Sequence, residues 1–187
     1  EVNRHCMDKV LEIGHFSAGF CGRLFAQNGA DVIRVKQDPL PSWVTSEAMD
    51  LYLHSDKKMV DCQDRDRIRE LASKADLLVF EGTSADSVES WGIDQWDVPL
   101  KSIITPFGLT GPKKNWRSSS NVLLAMGGYT NCSGDPDKAP LSIPGHYVEF
   151  QAGQFAYIAA NAAIFAEESA TIDVSMLECV MALSQFT

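Results

Sequence analysis

Val10-Leu-Glu-Ile-Gly-His-Phe-Ser-Ala-Gly-Phe-Cys-Gly-Arg-Leu-Phe-Ala-Gln-Asn-Gly-Ala-Asp-Val-Ile-Arg-Val35 is the stretch whose pattern sets the fold. Val10–Ile13 reads as a short strand, 14–19 as a glycine-bounded turn, 20–28 as a helix stopped by Gly29, and Asp31–Val35 as a second strand. Strand, helix and strand in this order form a βαβ unit, which requires a parallel sheet. Gly14, Gly19 and Gly22 do not have the G-x-G-x-x-G spacing of a dinucleotide turn. Lys36 and Gln37 stand where an acid for the ribose hydroxyls is expected, so a nicotinamide site is disfavoured.

Outward from this unit the alternation continues. Residues 37–47, with Pro39 and Pro41, read as a loop and 48–54 as a short helix. Then come a brief strand at 59–62, an amphipathic helix at 64–74 carrying Ile68, Leu71 and Ala72, and a buried strand at 76–80. A loop with a short helix spans 82–92, packed on Trp91 and Trp96. A strand is expected at 102–105, and a helix at 121–127 after the capping run Ser118-Ser-Ser120. The long helix expected at 151–166 places Phe155, Ile158, Ala159, Ala162, Ala163 and Ala166 at helical spacing. A strand at 170–174 and an apolar helix at 176–186 complete the pattern. The architecture expected is one Rossmann-like α/β domain over 1–187, a three-layer sandwich around a mainly parallel sheet.

Composition narrows the function classes. The 187 residues carry a net charge of −9, from 25 acidic and 16 basic side chains. An acidic chain lacks the basic face that neutralises phosphates, so no nucleic-acid partner is expected. Five scattered cysteines without a C-x-x-C pair read as reduced thiols in a cytoplasmic protein. No apolar run reaches membrane-span length, so no membrane partner is expected, and no metal-ligand spacing occurs.

Chemistry follows by elimination. Pro106-Phe-Gly-Leu-Thr-Gly-Pro-Lys-Lys114 lacks the P-loop pattern, and both a nucleophile elbow and an H-E-x-x-H helix are missing. Lys57 and Lys58 read either as phosphate point charges or as a solvated pair, and His146 as a loop side chain or an acid/base group. Glu149, before the most apolar helix, has two readings. It either complements the helix dipole or is a lone cleft carboxylate able to form an acyl anhydride.

The order of motifs then resembles a known family. Val10-Leu-Glu-Ile-Gly-His-Phe-Ser-Ala-Gly19, Gly29-Ala-Asp-Val-Ile-Arg-Val35, Asp56-Lys-Lys-Met-Val60, Ala75-Asp-Leu-Leu-Val79, Gly108-Leu-Thr-Gly-Pro112, Gly134-Asp-Pro136 and Ile172-Asp-Val-Ser-Met-Leu177 follow in sequence. Together they are similar to the N-terminal half of family III CoA-transferases, the group that also contains 2-methylacyl-CoA racemases. The resemblance implies a Rossmann-like large domain, the chain being the N-terminal part of a longer one, and an interlocked homodimer or a partner chain supplying the other half. It implies CoA or acyl-CoA and a small carboxylic acid as substrates, with no metal, and Glu149 in the nucleophile position, where the family has aspartate. CoA contacts are expected from Phe16, Gln37, Lys57, Lys58 and Arg65.

Departures from the family pattern keep a second reading open. Gln37 replaces a basic contact, Phe80-Glu-Gly82 replaces a Glu-Asn-Phe segment, and Ser120 stands where the family has tyrosine or a racemase histidine. Racemase chemistry is therefore not expected. The alternative to a CoA-transferase is a catalytically degenerate domain that pairs with a competent domain or partner chain.

Overall fold

The computed structural model describes residues 9–36 and 46–183, and its strands form one parallel sheet. They are β1 (Lys9–Ile13), β2 (Asp31–Val35), β3 (Lys58–Val60), β4 (Leu77–Glu81), β5 (Leu100–Thr105) and β6 (Ala170–Ser175), in the order β3-β2-β1-β4-β5-β6. The helices are α1 (Phe16–Gln27), α2 (Glu47–His54), α3 (Arg65–Ala72), α4 (Ala85–Trp91), α5 (Ser120–Met126), α6 (Tyr147–Phe165) and α7 (Met176–Leu183). The chain starts in the middle of the sheet, builds outward to β3, and returns to add β4 through β6. Order reverses between β1 and β4, and such a switch point leaves a crevice beyond the carboxyl ends of the two central strands.

The central strands β1, β4 and β5 are largely buried on both faces because helices cover both. Alternation sends Val10, Val32, Leu77, Val79, Leu100 and Ile104 into one core beneath α1, α5, α6 and α7. Leu11, Ile13, Val35, Leu78, Phe80 and Ile103 enter the other, with Ile68 and Ala72 of α3 and Val88 of α4. This is the α/β sandwich read from the sequence.

Two helices differ from that reading in a common way. α1 and α6 each begin a full turn before the expected start, so residues read as turn or loop, Phe16 to Gly19 and Tyr147 to Phe150, are helical. Neither has a side-chain N-cap of its own. The buried stripe of α6 is only partly the expected one: Phe155 and Ala163 pack against the core, but the fully buried positions are Val148, Glu149, Ala152, Gly153, Ala156 and Ala160, while Ile158 is 54% and Phe165 70% exposed. Close approach to α1 decides the face. A Cβ on Gly153 would stand 2.6 Å from the Ser17 carbonyl oxygen, so bulk is excluded from the seam and left outside.

On the α1 side of the sheet, two positions that would ordinarily be apolar are charged. Glu12 and Arg34 are register partners on β1 and β2 and both are buried. Lys57 donates to Glu12 and, at 2.7 Å, to the Gly19 carbonyl, and Arg34 also reaches Asp50 of α2 at 3.4 Å. Lys57 lies 3.2 Å from His54 Nδ1; donation there leaves the ring proton on Nε2, the nitrogen nearer Asp50. Burial and then the charges of Lys57 and Arg34 push His54 down to about 2, so it is neutral. Burial pushes Glu12 up and Lys57 down, and their mutual attraction opposes both movements. The cluster ties α2 and the start of β3 to the first βαβ unit.

Candidate functional site

A cavity of about 590 Å³ opens at the carboxyl end of the sheet. His15, Glu81, Arg117, Ser120, His146 and Glu149 supply its chemistry, with Leu123 and Met176 on its apolar side. Glu149 lies in the first turn of α6 and is 7% exposed. Its Oε1 accepts a hydrogen bond from the Ser120 hydroxyl at the start of α5. Ser119, the capping residue, makes no side-chain cap, and the hydroxyl next to it serves Glu149 instead. Glu149 Oε2 is buried with no hydrogen-bond partner among the described residues. A buried carboxylate oxygen lacking a donor is costly unless a ligand or solvent meets it.

The two glycine turns around the cavity are each occupied by a carboxylate of the chain itself. Glu81, at the end of β4, accepts from the His15 amide at 3.1 Å and the Ala18 amide at 2.9 Å through Oε2. It thereby caps α1, which explains why that helix starts early without an N-cap residue. A Cβ on Gly14 would lie 2.6 Å from the Glu81 Cβ, so the turn must have glycine for β4 to come this close. Asp173 of β6 does the same at the second turn, both its oxygens accepting from the Leu109 amide at 3.1 and 2.9 Å. In a dinucleotide fold a pyrophosphate sits at the first of these positions. Here Glu81 fills it.

Burial and neighbouring charge act on two titratable groups of the cavity. Burial pushes the Glu81 carboxyl up to about 7, opposed by the Ala18 and His15 amides and reinforced by the charge of Glu149. Burial, followed by the charge of Arg34, pushes the His15 imidazole down, and His15 Nδ1 is buried without a partner among the described residues.

The residues singled out in the sequence are not all brought together. Phe16 is fully buried beside the cavity, stacked on His146 with ring centroids 4.2 Å apart and edge-on to Phe150 at 4.9 Å. Lys57 is turned inward onto Glu12. Lys58 is 69% exposed and paired with Asp31 at 2.6 Å. Arg65 stacks over Trp91 at 4.6 Å and donates to the Ser90 carbonyl at 2.6 Å. None of these three cations lines the cavity, and Gln37 lies outside the described residues. The guanidinium on the cavity wall is Arg117. Arg117, His15 and Glu81 are site residues that sequence reasoning missed. An acid closing an otherwise apolar parallel strand was a signal for Glu81, because strand carboxyl ends face the crevice. Arg117, in a polar loop, carried no such signal.

Among the described residues no group of three or more His, Cys, Asp or Glu could hold a metal ion, and no helix is long and apolar enough to cross a membrane.

Comparison with known proteins places the fold in a family. The chain is 29% identical to the succinyl-CoA–D-citramalate CoA-transferase of Chloroflexus aurantiacus over 204 residues, covering 95% of this chain and 50% of that protein. It is 24% identical to the succinate–glutarate CoA-transferase of Agrobacterium fabrum, covering 91% of this chain and 50% of that protein. The chain thus spans about half the length of the curated relatives it matches. A CAIB/BAIF family protein from Brucella suis has the same fold, with a TM-score of 0.81 at 20% identity, covering 99% of this chain and 56% of that one. The pattern of CoA-transferase family III matches residues 8–187. With that match extending over nearly the whole chain, the protein belongs to CoA-transferase family III.

Proposed function

We propose that this chain carries the nucleophile of a CoA-transferase that moves CoA between carboxylic acids, and that the nucleophile is Glu149. The observation that supports it is Glu149 Oε2, a buried oxygen without a donor, on the wall of a cavity large enough for an acyl group. Ser120 holds the other oxygen and so orients the carboxylate. Oε2 attacks the thioester carbonyl, a C–O bond forms, the C–S bond breaks, and CoA leaves as thiolate with the electron pair. The thiolate then attacks the Glu149 carbonyl carbon and releases the donor acid as its carboxylate. The second acid reverses these steps and departs as its CoA thioester, regenerating Glu149. Every step conserves charge, so the transfer requires no net proton.

The names of both curated relatives contain a dicarboxylic acid or its CoA thioester. That favours an acid with a second carboxylate, for which Arg117 is the fitting counter-charge. Phe16 and His146 supply an apolar, stacked wall, and Lys58 is a candidate for a CoA phosphate. The remaining wall of the site comes from a second copy or from the other half of the protein. The test is acyl-CoA with hydroxylamine on the full-length protein. The expected result is a hydroxamate at Glu149 that disappears in Glu149→Gln; transfer at an unchanged rate in that variant removes Glu149 from the role.

One observation favours the second reading, a degenerate domain paired with a competent one. Lys57 and Arg65, read as CoA contacts, are committed to groups within the fold. Calorimetry with CoA decides between the readings. Micromolar binding supports the transferase, and absence of heat supports the degenerate domain.

A further inference from the structure

Two acids, Glu81 and Glu149, line the cavity, and donors for a further carboxylate gather on the segment that leads into α5. Within it the Ser120 hydroxyl is spent on Glu149 and the Ser118 hydroxyl on the Ser119 carbonyl, at 3.2 Å. Arg117 and Asn121 flank these serines, and both line the cavity. Asn121 is not a free rotor. Its Oδ1 accepts from the Ser142 hydroxyl at 2.8 Å. Ser142 is itself held in place, because the Leu141 amide donates to the Ser133 carbonyl at 3.0 Å and the Ser133 hydroxyl to the Tyr129 carbonyl at 2.9 Å. With its oxygen engaged, the Asn121 carboxamide has a nitrogen without a partner among the described residues. An amide fixed in this way offers a ligand two N–H donors, which suit a carboxylate and do nothing for a methyl group.

We propose that Asn121 is a specificity-determining residue whose amide N–H groups join the Arg117 guanidinium on the distal carboxylate of a dicarboxylic acid, and that Ser142 is the positioning residue that keeps the nitrogen, not the oxygen, available to it. This rests on the reading given above, a dicarboxylic acid as substrate with Glu149 as nucleophile. A guanidinium and a carboxamide donate to one carboxylate from two directions, and an acid that ends in a methyl group leaves both unpaired. Asn121→Asp keeps the side chain's size and puts a negative charge in place of the donors. Ser142→Ala releases the carboxamide, so that its oxygen can turn toward the acid. Ser142→Thr retains the hydroxyl.

The experiment is calorimetric titration of the full-length protein with succinate and with butyrate, acids of equal chain length, and it needs no turnover. Wild type is expected to bind succinate at least about tenfold more tightly than butyrate. Asn121→Asp should abolish that preference, Ser142→Ala should reduce it about threefold, and Ser142→Thr should restore it. A merely structural role for Ser142 would not move the ratio of the two affinities. Failure of wild type to bind succinate, equal affinity for the two acids, or a preference undiminished in Asn121→Asp overturns the proposal. Should Asn121→Asp fail to fold, Ser142→Ala decides, and an unchanged preference there overturns it. These titrations involve no acyl transfer. Failure of Glu149 in the hydroxylamine test therefore leaves them interpretable, and loss of the acid preference leaves the assignment of Glu149 untouched.

Discussion

Glu12 and Glu149 are both buried acids on the α1 side of the sheet, and their partners differ completely. Glu12 has Lys57, Arg34 and His54 within ion-pair distance. Glu149 has one serine hydroxyl. A buried carboxylate paired with two cations, here Lys57 and Arg34, is part of the framework, since removing a cation strands a charge. One that faces a cavity with a single neutral donor has an oxygen that a ligand could meet. The comparison teaches that burial alone does not mark an acid as a candidate nucleophile; incomplete compensation beside open space does.

The largest separation of the two regions is expected from Glu149→Gln. Acylation should fall by at least ~10³-fold with an unchanged melting temperature, because this substitution leaves the apolar contacts intact. The converse change, Lys57→Met, strands Glu12, and urea unfolding should show a loss of about 3–5 kcal/mol. Equal stability in that variant would mean that Arg34 alone neutralises Glu12. Ser120→Ala should slow acylation by on the order of 10²-fold through lost orientation of Glu149, with stability changed by about 1 kcal/mol or less.

The pH dependence of stability sharpens the contrast. His54 is depressed to about 2 from 6.5, so below 6.5 the unfolded chain takes up a proton that the folded chain refuses. Its contribution is present above pH 6.5 and is lost as the pH falls toward 2. Glu81 acts with the opposite sign. Raised from 4.5 to about 7, it keeps a proton that the unfolded chain releases, so stability declines as the pH rises between those values. Urea midpoints between pH 4.5 and 6.5 should therefore change little in wild type, while Glu81→Gln unmasks the acid loss due to His54. Superimposable curves would eliminate Glu81 as a titrating group. The smallest effect is expected at the surface. Lys58→Ala breaks an exposed pair and should change stability by less than about 1 kcal/mol, so a larger loss in CoA affinity would identify a phosphate contact.

The strands were legible because parallel strands covered on both faces must be continuous apolar runs, as in Leu77-Leu-Val-Phe80. The early starts of α1 and α6 were not. His15, Ser17 and Gly19 have the composition of a turn, and the cap that makes the segment helical comes from Glu81, distant in sequence. The buried face of α6 was misjudged for a related reason. Alanines recur on more than one face of this helix, so apolar periodicity does not choose between them, whereas the close approach to α1 selects the face with Ala152, Gly153 and Ala156. Glu149 could be singled out from the motif order, but its orphan oxygen could not, since that depends on Ser120 satisfying only one side. The cations show the same limit. Nothing local distinguishes Lys57, whose charge is consumed internally, from Lys58, whose charge stays at the surface.

The seam at Gly153 also restricts how the protein's length can vary. Glu149 lies one helical turn before Gly153, and the glycine is fixed against the Ser17 carbonyl. A single inserted residue between them would rotate Glu149 by about 100° and carry it about 1.5 Å along the axis, out of the cavity wall. Insertions in the connection from Ser133 to Gly145, which no strand or helix occupies, leave both points untouched. Natural and engineered length changes should accumulate there, while the interval from residue 149 to 153 keeps its register as a ruler between the seam and the site.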